Sequence, residues 1–358
     1  MLLVLILAAA IWFGGRFLGA PRPMRQGLVA LLFLAVIGIH LTFPAGHPLR
    51  MATGQSAALW FLLAGAIALV MIYGAGLRRL RRRAAGPVAA GHAPDRGFSD
   101  SELNRYARHI TLREIGGPGQ KALSRARVLV VGAGGLGSPA LQYLAAAGVG
   151  TIGVIDGDTV ENTNLQRQVI HKDRAIGMPK VFSAQSEMTA QNPFITVHPY
   201  HRRLTEEIAA DLVADHDIVL DGTDNFDTRY LVNRACVAAG RPMISGALSQ
   251  WEGQLSVFDP AQGAPCYQCL FPQAPAAGLA PSCAEAGVAG PLPGVVGAMM
   301  AVEAVKLITG AGTPLRGQLL IYDALFGENR TIAISPRADC PVCGGSLPEA
   351  PKAVSADA

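Results

Sequence analysis

The chain has 358 residues, of which 50% are hydrophobic and only 16% are charged, and its formal net charge is +4 at pH 7. This composition is too apolar for an ordinary soluble protein until the first 83 residues are set apart, and the remainder suffices for one large α/β domain. Much of the excess charge lies in an arginine run beside an apolar segment, without base-stacking or groove-reading motifs, which indicates a membrane surface as a partner and no nucleic acid.

Three apolar segments open the chain. Residues 1–15 carry no charge, residues 27–43 are apolar apart from one histidine, and residues 57–77 are free of charge. A helix needs about 20 apolar residues to cross roughly 30 Å of hydrocarbon. We therefore expect a membrane region over residues 1–83 with two to three transmembrane helices, the first segment either spanning or lying in the interface. A cleaved signal peptide is the alternative for that segment, but it lacks a basic start and more apolar sequence follows it.

The distribution of arginines predicts the orientation of these helices. Arg16, Arg22 and Arg25 flank the first loop, five arginines between residues 78 and 83 follow the third segment, and Arg50 lies in the opposite loop. Cytoplasmic loops carry the excess of Lys and Arg. The N-terminus is therefore expected outside, with the rest of the chain in the cytoplasm at the inner membrane.

The composition then changes. Residues 84–97 are rich in Ala, Gly and Pro and are expected to form a linker. Ser99, followed three residues later by Glu102, has the pattern of a capping box and predicts the start of a helix. Residues 347–358 have little to bury and are expected to be a disordered tail. The folded domain is thus predicted to cover residues 98–346.

A glycine-rich turn follows the first predicted strand of this domain. Residues 127–131 read as a short buried parallel strand, and Gly132, Gly134 and Gly137 follow in the pattern G-x-G-x-x-G at the opening of the apolar helical stretch 139–147. The glycines permit a tight turn and bring the backbone close to phosphate, where helix N–H groups and the helix dipole favour negative charge. The context favours nucleotide binding, although this motif alone is weak evidence.

Four charged residues follow, and they favour ATP over a dinucleotide. Asp156 ends the next strand about 20 residues beyond the glycines, the usual place for a carboxylate that binds ribose hydroxyls. Arg167 and Lys180 are candidates to neutralise charge at a reacting phosphate, and Asp224, after a strand at 217–220, is a candidate metal ligand. The simpler alternatives are solvated surface charge for the two cations and a helix N-cap for Asp224.

The remaining pattern predicts an α/β fold with a Rossmann-like, mostly parallel sheet. The predicted helices are 181–190, 205–214 and 225–239, and the predicted strands are 195–199, 217–220, 243–248 and 253–259. A buried helix is expected at 293–309, with Glu303 and Lys306 exposed on its edge.

Four of the six cysteines form two C-x-x-C pairs, and two remain outside them. Such pairs are typical of a closed tetrahedral zinc site, in which four thiolates give a structural and not a catalytic metal. The alternatives are redox pairs or two disulfides, which are uncommon in a reducing cytosol. Of the other two cysteines, Cys236 is expected in the core and Cys283 in a mobile loop over residues 272–293. The predicted zinc ligands are Cys266, Cys269, Cys340 and Cys343.

Taken together, these motifs resemble the MoeB/ThiF/HesA family, the bacterial relatives of ubiquitin-activating enzymes. The resemblance covers residues 101–344, and this stretch looks most like the molybdopterin-synthase adenylyltransferases. The matching stretches are RYARHI, GAGGLGSP, DGDTVENTNLQRQ, the lysine of GMPK, DGTDN, WEGQLSVF, CYQC, CAEAGV and CPVC. The family implies an ATP-dependent enzyme that adenylylates the C-terminal glycine of a small ubiquitin-like sulfur-carrier protein, with release of pyrophosphate.

The resemblance also implies roles for single residues. Gly135 would lie against the nucleotide and Asp156 would hold its ribose. Asn164, Arg167 and Lys180 would contact phosphates, and Asp224 would bind Mg²⁺ beside Asn225. Arg108 would reach the phosphates of the neighbouring subunit, which implies a homodimer, although its simpler role is that of a helix-surface arginine.

Several questions stay open at this point. In related enzymes a cysteine at the place of Cys283 takes the carrier covalently, whereas others of the family stop at the adenylate. We expect no sulfurtransferase domain after the zinc tail, so that sulfur would come from another protein. A carrier of the thiamine pathway would leave the same ATP-site residues. An NAD-dependent oxidoreductase would leave the two cations and Asp224 without a function, and a binding module that had lost catalysis need not keep them.

Overall fold

The chain divides into two compact units, Met1–Ala89 and Ala90–Ala358. The computed structural model describes residues 2–17, 22–44, 46–54, single positions between 56 and 73, 97–275 and 286–344. The predicted linker up to residue 96, the predicted tail and most of the third apolar segment lie outside the described residues. The two units are described separately.

The first unit contains three described helices, α1 (Leu2–Phe17), α2 (Arg22–Thr42) and α3 (Pro48–Thr53). By length and composition, Met24–Thr42 within α2 is apolar enough to cross a membrane, and Ile6–Phe17 is a shorter apolar helix. Val4, Val36 and Trp60 are buried against one another.

The second unit is built on a mixed sheet of eight strands. Its helices are α4 (Asp100–Ile110), α5 (Gly116–Arg125), α6 (Gly137–Ala147), α7 (Lys180–Gln191), α8 (Glu206–Ala214), α9 (Phe226–Ala239), α10 (Tyr267–Leu270) and α11 (Pro291–Thr309). Its strands are β1 (Arg127–Val131), β2 (Thr151–Ile155), β3 (Thr196–Tyr200), β4 (Ile218–Asp221), β5 (Met243–Leu248), β6 (Glu252–Phe258), β7 (Gln318–Asp323) and β8 (Glu328–Ala333). Ser99 caps α4 in a reciprocal capping box with Glu102, as predicted.

Strand order explains where a ligand site can form. The sheet runs β3-β2-β1-β4-β5-β6-β7-β8, parallel through β5 and antiparallel beyond it. The chain moves from β1 outward to β3 and then returns to place β4 on the other side of β1. In open α/β sheets such a reversal leaves a crevice at the carboxyl ends of the strands, and ligands bind there.

Alternation along the central strand fills two cores. Val128 and Val130 of β1 face a cluster that includes α6, α7 and α11, whereas Leu129 and Val131 face a second cluster with α8 and α9. A strand buried on both faces has this nearly continuous apolar sequence. Helix α11 also meets the length and hydropathy test for a membrane span, but it packs on α6, β5 and β6 and is a core helix.

Two findings differ from the sequence-based expectations. Strands β7 and β8 extend the sheet but were not predicted, and most predicted boundaries differ by one or two residues. Glu303 was expected on an exposed edge but is only 4% exposed. Its carboxylate accepts hydrogen bonds from Lys306 Nζ at 2.6 Å and from the backbone N–H of Leu315 at 2.9 Å, which compensates its burial.

Candidate nucleotide and metal sites

A cavity of about 960 Å³ lies at the carboxyl ends of the parallel strands. Pockets for nucleotide-sized ligands commonly measure about 300 to 1,000 Å³. Among its lining residues are Gly132, Gly134, Gly135, Asp156, Arg167, Lys180, Asp224 and Asn225. Eight of the residues predicted from separate motifs are therefore brought to one place.

The glycine turn between β1 and α6 forms one wall of this cavity. Gly132 has φ of +94°, and a Cβ there would lie 3.0 Å from the carbonyl oxygen of Gly222. A Cβ on Gly137 would lie 1.9 Å from the carbonyl oxygen of Gly132, so helix α6 begins too close to the turn for any side chain. Gly137 allows the close packing of α6 against the turn, and it does not line the cavity. The N-terminus of α6 thereby faces the cavity, as anion binding requires.

Asp156 lies at the end of β2 and is held by backbone donors. One carboxylate oxygen accepts from the N–H of Ala133 and the other from the N–H of Asp158, both at 2.8 Å. These two bonds fix the carboxylate against the glycine turn. From this position a carboxylate can accept hydrogen bonds from the hydroxyls of a ribose.

Lys180 opens α7, and its side chain is only 8% exposed. Its ammonium lies 3.0 Å from the carboxylate of Asp158, which is 57% exposed. The alternative that Lys180 is a solvated surface charge is therefore wrong, because the cation is buried at the wall of the cavity. The sequence pattern alone did not identify Asp158 as the ion-pair partner of Lys180.

Asp224 and Asn225 connect β4 to α9. Asn225 is the N-cap of α9, and its side-chain oxygen accepts from the N–H of Thr228 at 2.9 Å. The alternative that Asp224 is the N-cap of this helix is therefore wrong, because the N-cap is the next residue, Asn225. Asp224 stays exposed on the cavity. Mg²⁺ prefers carboxylate and phosphate oxygens, so an exposed carboxylate beside the glycine turn fits this ion.

The other predicted phosphate ligands are placed differently. Arg167 borders the cavity and donates to the carbonyl of Thr163 at 3.0 Å. Asn164 is buried, its side-chain oxygen accepts from the N–H of Glu161 at 3.2 Å, and it is not among the residues that line the cavity. Arg108 is exposed on α4 and, within the described protomer, is also outside the lining.

A buried polar cluster below the cavity was missed from the sequence. It consists of Asp221, Arg229 and Ser245, with side chains that bond to one another. Asp221 is the first residue of the DGTDN motif, and its place in that motif was the sequence signal that could have identified it. A second missed residue is His171, which contacts the carbonyl of Ala133 at 2.9 Å and the hydroxyl of Ser183 at 3.0 Å. Burial and the nearby Lys180 lower the pKa of His171.

The four predicted zinc ligands come together although 74 residues separate the two pairs. Their sulfur atoms lie within 4.8 Å of one another, and all four residues are buried. Four sulfurs at about 2.3 Å from a tetrahedral metal lie about 3.8 Å apart. The contacts of 3.9, 3.6 and 3.4 Å match that spacing and exceed a disulfide bond of about 2.05 Å.

The surroundings of the sulfur atoms also suit a structural metal. The backbone N–H of Arg337 lies 3.4 Å from Cys269 Sγ. Burial raises the pKa of Cys266 to about 11 and also raises that of Cys343, whereas at Cys340 backbone and thiol hydrogen bonds outweigh burial and lower the pKa to about 7. A metal binds the thiolate form and deprotonates its thiol ligands, and N–H donors stabilise thiolate ligands. The geometry therefore allows this cluster to hold a metal ion.

The two remaining cysteines differ in what the structure describes. Cys236 is 2% exposed within α9, and burial raises the pKa of its thiol far above the usual range, as expected for a core residue. Cys283 lies outside the described residues, within the stretch 276–285 of the predicted loop.

This arrangement can bind a nucleotide triphosphate and stabilise negative charge on its phosphates. A dinucleotide site needs the glycine turn and the ribose carboxylate but has little use for a buried lysine and an exposed acid at the phosphate end. The pairing of these features favours chemistry at a phosphoryl group.

Comparisons with known proteins agree with this geometry. The model of the ThiF family matches residues 106–342. The "Sulfur carrier protein adenylyltransferase" of Thermus thermophilus is 49% identical over 251 residues, which cover 69% of this chain and 93% of that protein. The "Probable adenylyltransferase/sulfurtransferase MoeZ" of Mycobacterium tuberculosis is 51% identical over 244 residues, 67% of this chain and 62% of that protein.

A solved structure shares the fold. A crystal structure of E. coli MccB with AMPCPP and MccA superposes with a TM-score of 0.60 at 25% identity, and the match covers 67% of this chain and 74% of MccB.

Proposed function

The chain belongs to the ThiF family, and from that premise we propose that it adenylylates the C-terminal glycine of a small ubiquitin-like sulfur-carrier protein at the expense of ATP. The observation that carries the proposal is the meeting of Asp156, Lys180 and Asp224 in one cavity beside the glycine turn. The similarity to a sulfur carrier protein adenylyltransferase supports the same activity.

In the proposed reaction, a carboxylate oxygen of the carrier's last glycine attacks the α-phosphorus of ATP. The new P–O bond forms as the bond from the α-phosphorus to the bridging oxygen breaks, so that acyl-adenylate and pyrophosphate are the products. Negative charge crowds at the reacting phosphate and on the leaving group, and fixed cations stabilise it. Lys180 and Arg167 supply this charge, while Asp156 orients the ribose.

Asp224 would hold Mg²⁺, which supplies further neutralisation of the phosphates when bound. Asn164 is proposed to contribute indirectly by holding the short helical turn Asn162–Asn164 that precedes Arg167, because its side-chain oxygen accepts from the N–H of Glu161, the N-cap of that turn. We also propose that Zn²⁺ occupies the four-cysteine cluster and has a structural role.

Two proposals concern assembly. Arg108 is exposed on α4 and would act on the phosphates of a second subunit in a homodimer. Residues 1–83 would anchor the enzyme in the inner membrane with its catalytic unit in the cytoplasm. The apolar helix α2 and the arginines after the third segment support this location.

We propose the molybdopterin-synthase small subunit as the carrier, and hence a role in molybdenum cofactor biosynthesis. The thiamine-pathway carrier is the second candidate, because the ATP-site residues are common to both. The buried Lys180 and exposed Asp224 argue against an NAD-dependent oxidoreductase and against a binding module without catalysis.

Carrier-dependent exchange of labelled pyrophosphate into ATP tests the proposal. The purified chain is assayed with a panel of ubiquitin-like carriers, each paired with a variant that lacks its last glycine. Exchange that depends on one carrier and on its last glycine identifies the substrate. Absence of exchange with every carrier, in protein that still binds ATP, would refute the proposed activity.

A further inference from the structure

A buried ion pair lies below the loop that carries Asp224. The side chain of Asp221 is 0% exposed and that of Arg229 is 7% exposed, with Nη1 of the arginine 3.3 Å from Oδ2 of the aspartate. Ser245 donates its hydroxyl to the same oxygen at 2.9 Å and accepts from Arg229 Nη1, also at 2.9 Å. Burying two charges is costly, and the ion pair and its hydrogen bonds offset part of that cost.

The terminal nitrogens of Arg229 are committed to the protein. Nη1 bonds to Asp221 and Ser245, and Nη2 donates to the carbonyl oxygens of Thr223 and Gly246. Two terminal nitrogens of a guanidinium offer four N–H groups, so these four contacts use them fully. Arg229 borders the cavity, but its Nη1 and Nη2 groups already bond to the protein. Two of these bonds hold the backbone carbonyls of Thr223 and Gly246 beside the cavity.

The residue before Asp224 is held at three of its atoms. The carboxylate of Asp221 accepts from the N–H of Thr223 at 3.1 Å and from its hydroxyl at 2.6 Å, while Arg229 holds its carbonyl. On the other side, Asn225 is fixed as the N-cap of α9. The exposed carboxylate of Asp224 therefore projects from a backbone that is anchored before and after it.

The same loop abuts the glycine turn. A Cβ on Gly132 would lie 3.0 Å from the carbonyl oxygen of Gly222, and a Cβ on Gly222 would lie 3.2 Å from the nitrogen of Gly137. The spacing between Asp224 and the N-terminus of α6 is thus set by direct backbone contact, and the buried pair holds one side of that contact.

We propose that Arg229 is a positioning residue that acts through Asp221 and Thr223 to hold the Asp224 carboxylate where it binds a divalent cation together with nucleotide phosphates. The inference rests on the proposed function of the site. Groups that orient a metal ligand through hydrogen bonds typically change metal affinity by about 10- to 100-fold when they are replaced. Loss of orientation at Asp224 should therefore weaken cation binding more than nucleotide binding.

The test uses the full-length chain in detergent and Arg229→Lys, which keeps the charge but cannot make the four contacts. Mn²⁺ is titrated in the presence of AMPCPP, and the bound ion is measured from the loss of the free Mn²⁺ signal in electron paramagnetic resonance. We expect the dissociation constant of Mn²⁺ to rise about tenfold. Metal-free binding of AMPCPP should stay within about twofold. Arg234→Lys, an exposed arginine on the same helix, is the matched control and should change neither.

Each outcome decides the matter. An unchanged Mn²⁺ constant in folded Arg229→Lys overturns the inference, as does an equal loss of Mn²⁺ and metal-free AMPCPP binding. If Arg229→Lys loses its melting transition, Ser245→Ala decides: a two- to threefold weaker Mn²⁺ affinity supports the inference and an unchanged value overturns it. A wild-type chain that binds Mn²⁺ with AMPCPP but exchanges no pyrophosphate with any carrier refutes the proposed function and leaves this inference standing.

Discussion

The ammonium of Lys180 lies 3.0 Å from Oδ2 of Asp158, and the backbone N–H of Lys180 donates to the carbonyl of the same residue, also at 3.0 Å. Asp158 in turn donates its N–H to Asp156. The start of α7 is thereby joined to the end of β2. The cation proposed for the phosphates and the carboxylate proposed for the ribose are thus held in one connected unit.

Replacement of Lys180 or Asp224 by alanine should lower pyrophosphate exchange by at least about 100-fold, the typical cost of removing one group that stabilises transition-state charge. The fold should persist, because neither side chain belongs to the apolar cores. Lys172→Ala is the control, since this lysine lies in the same segment but donates to the carbonyl of Val169 away from the cavity lining. Near-normal exchange in either site variant would refute the assignment.

Elemental analysis should find one zinc per chain. Cys340→Ser should lower the melting temperature and the zinc content together, because structural zinc binding is coupled to folding. Cys236→Ala should retain the metal, since this buried cysteine lies outside the cluster. A purified, active protein without zinc would exclude the structural site.

Stability should fall as the pH is lowered from about 7.5 to 5. Burial lowers the pKa of His171, His198 and His216 in the folded chain, with further lowering by Lys180 at the first and Arg127 at the other two. The unfolded chain then binds protons first, near the ordinary histidine pKa of about 6.5. The contribution of these histidines to the free energy of unfolding is therefore fully present above about pH 6.5 and is lost as the pH falls toward their lowered pKa values.

Thermal denaturation at several pH values measures this dependence, and His216→Gln supplies the comparison. This histidine is 1% exposed, and its Nε2 has no hydrogen-bond partner among the described residues. The variant should show a smaller fall in melting temperature between pH 7.5 and 5. An equal fall would mean that His216 does not contribute.

Mixed dimers test Arg108. Arg108→Ala and Lys180→Ala should each be inactive as homodimers, whereas a mixed dimer in which Arg108 acts across the interface has one intact site. Mixing should then restore up to about half of the activity per mixed dimer, since one site regains its full charge stabilisation. Arg113→Ala should be active alone, because Arg113 is 93% exposed and pairs with its neighbour Glu114. No recovery despite subunit exchange would place Arg108 outside the partner's site.

The full-length chain should require detergent, and a truncated chain that begins at Gly97 should be soluble and retain exchange activity. Residues 90–358 form a compact unit of their own, which supports independent folding. Fractionation of cells and of the purified proteins checks both statements. A full-length chain in the soluble fraction would reject the membrane spans.

Local patterns predicted the nucleotide half of the fold well. The strand at residues 127–131, its glycine turn and the strand at 151–155 were predicted with their observed limits. Short apolar runs bounded by glycine and by an acid leave little freedom in the assignment. The two cysteine pairs were also recognised from spacing, because metal ligands impose a specific local pattern.

Features that depend on distant partners could not be predicted. All six residues of β8 are exposed, so the sequence lacks the alternation that reveals a half-buried strand. Asn225 and Asp224 are both good N-cap residues, and only the backbone selects between them. The burial of Glu303 depends on the N–H of Leu315, and the pairing of Asp221 with Arg229 and Ser245 depends on a neighbouring strand.

The cysteine cluster closes a long loop in the chain. Cys266 and Cys340 are 74 residues apart, and α11 lies within the segment between them. Pro293 near the start of this helix packs against the glycine turn, where a Cβ on Gly135 would lie 3.1 Å from it. A metal that cross-links the ends of such a segment reduces the conformational entropy of the unfolded chain. With the proposed zinc in this cluster, chelation should loosen a helix that packs against the proposed phosphate-binding turn, and ATP affinity would depend on zinc supply although none of the four cysteines borders the nucleotide cavity.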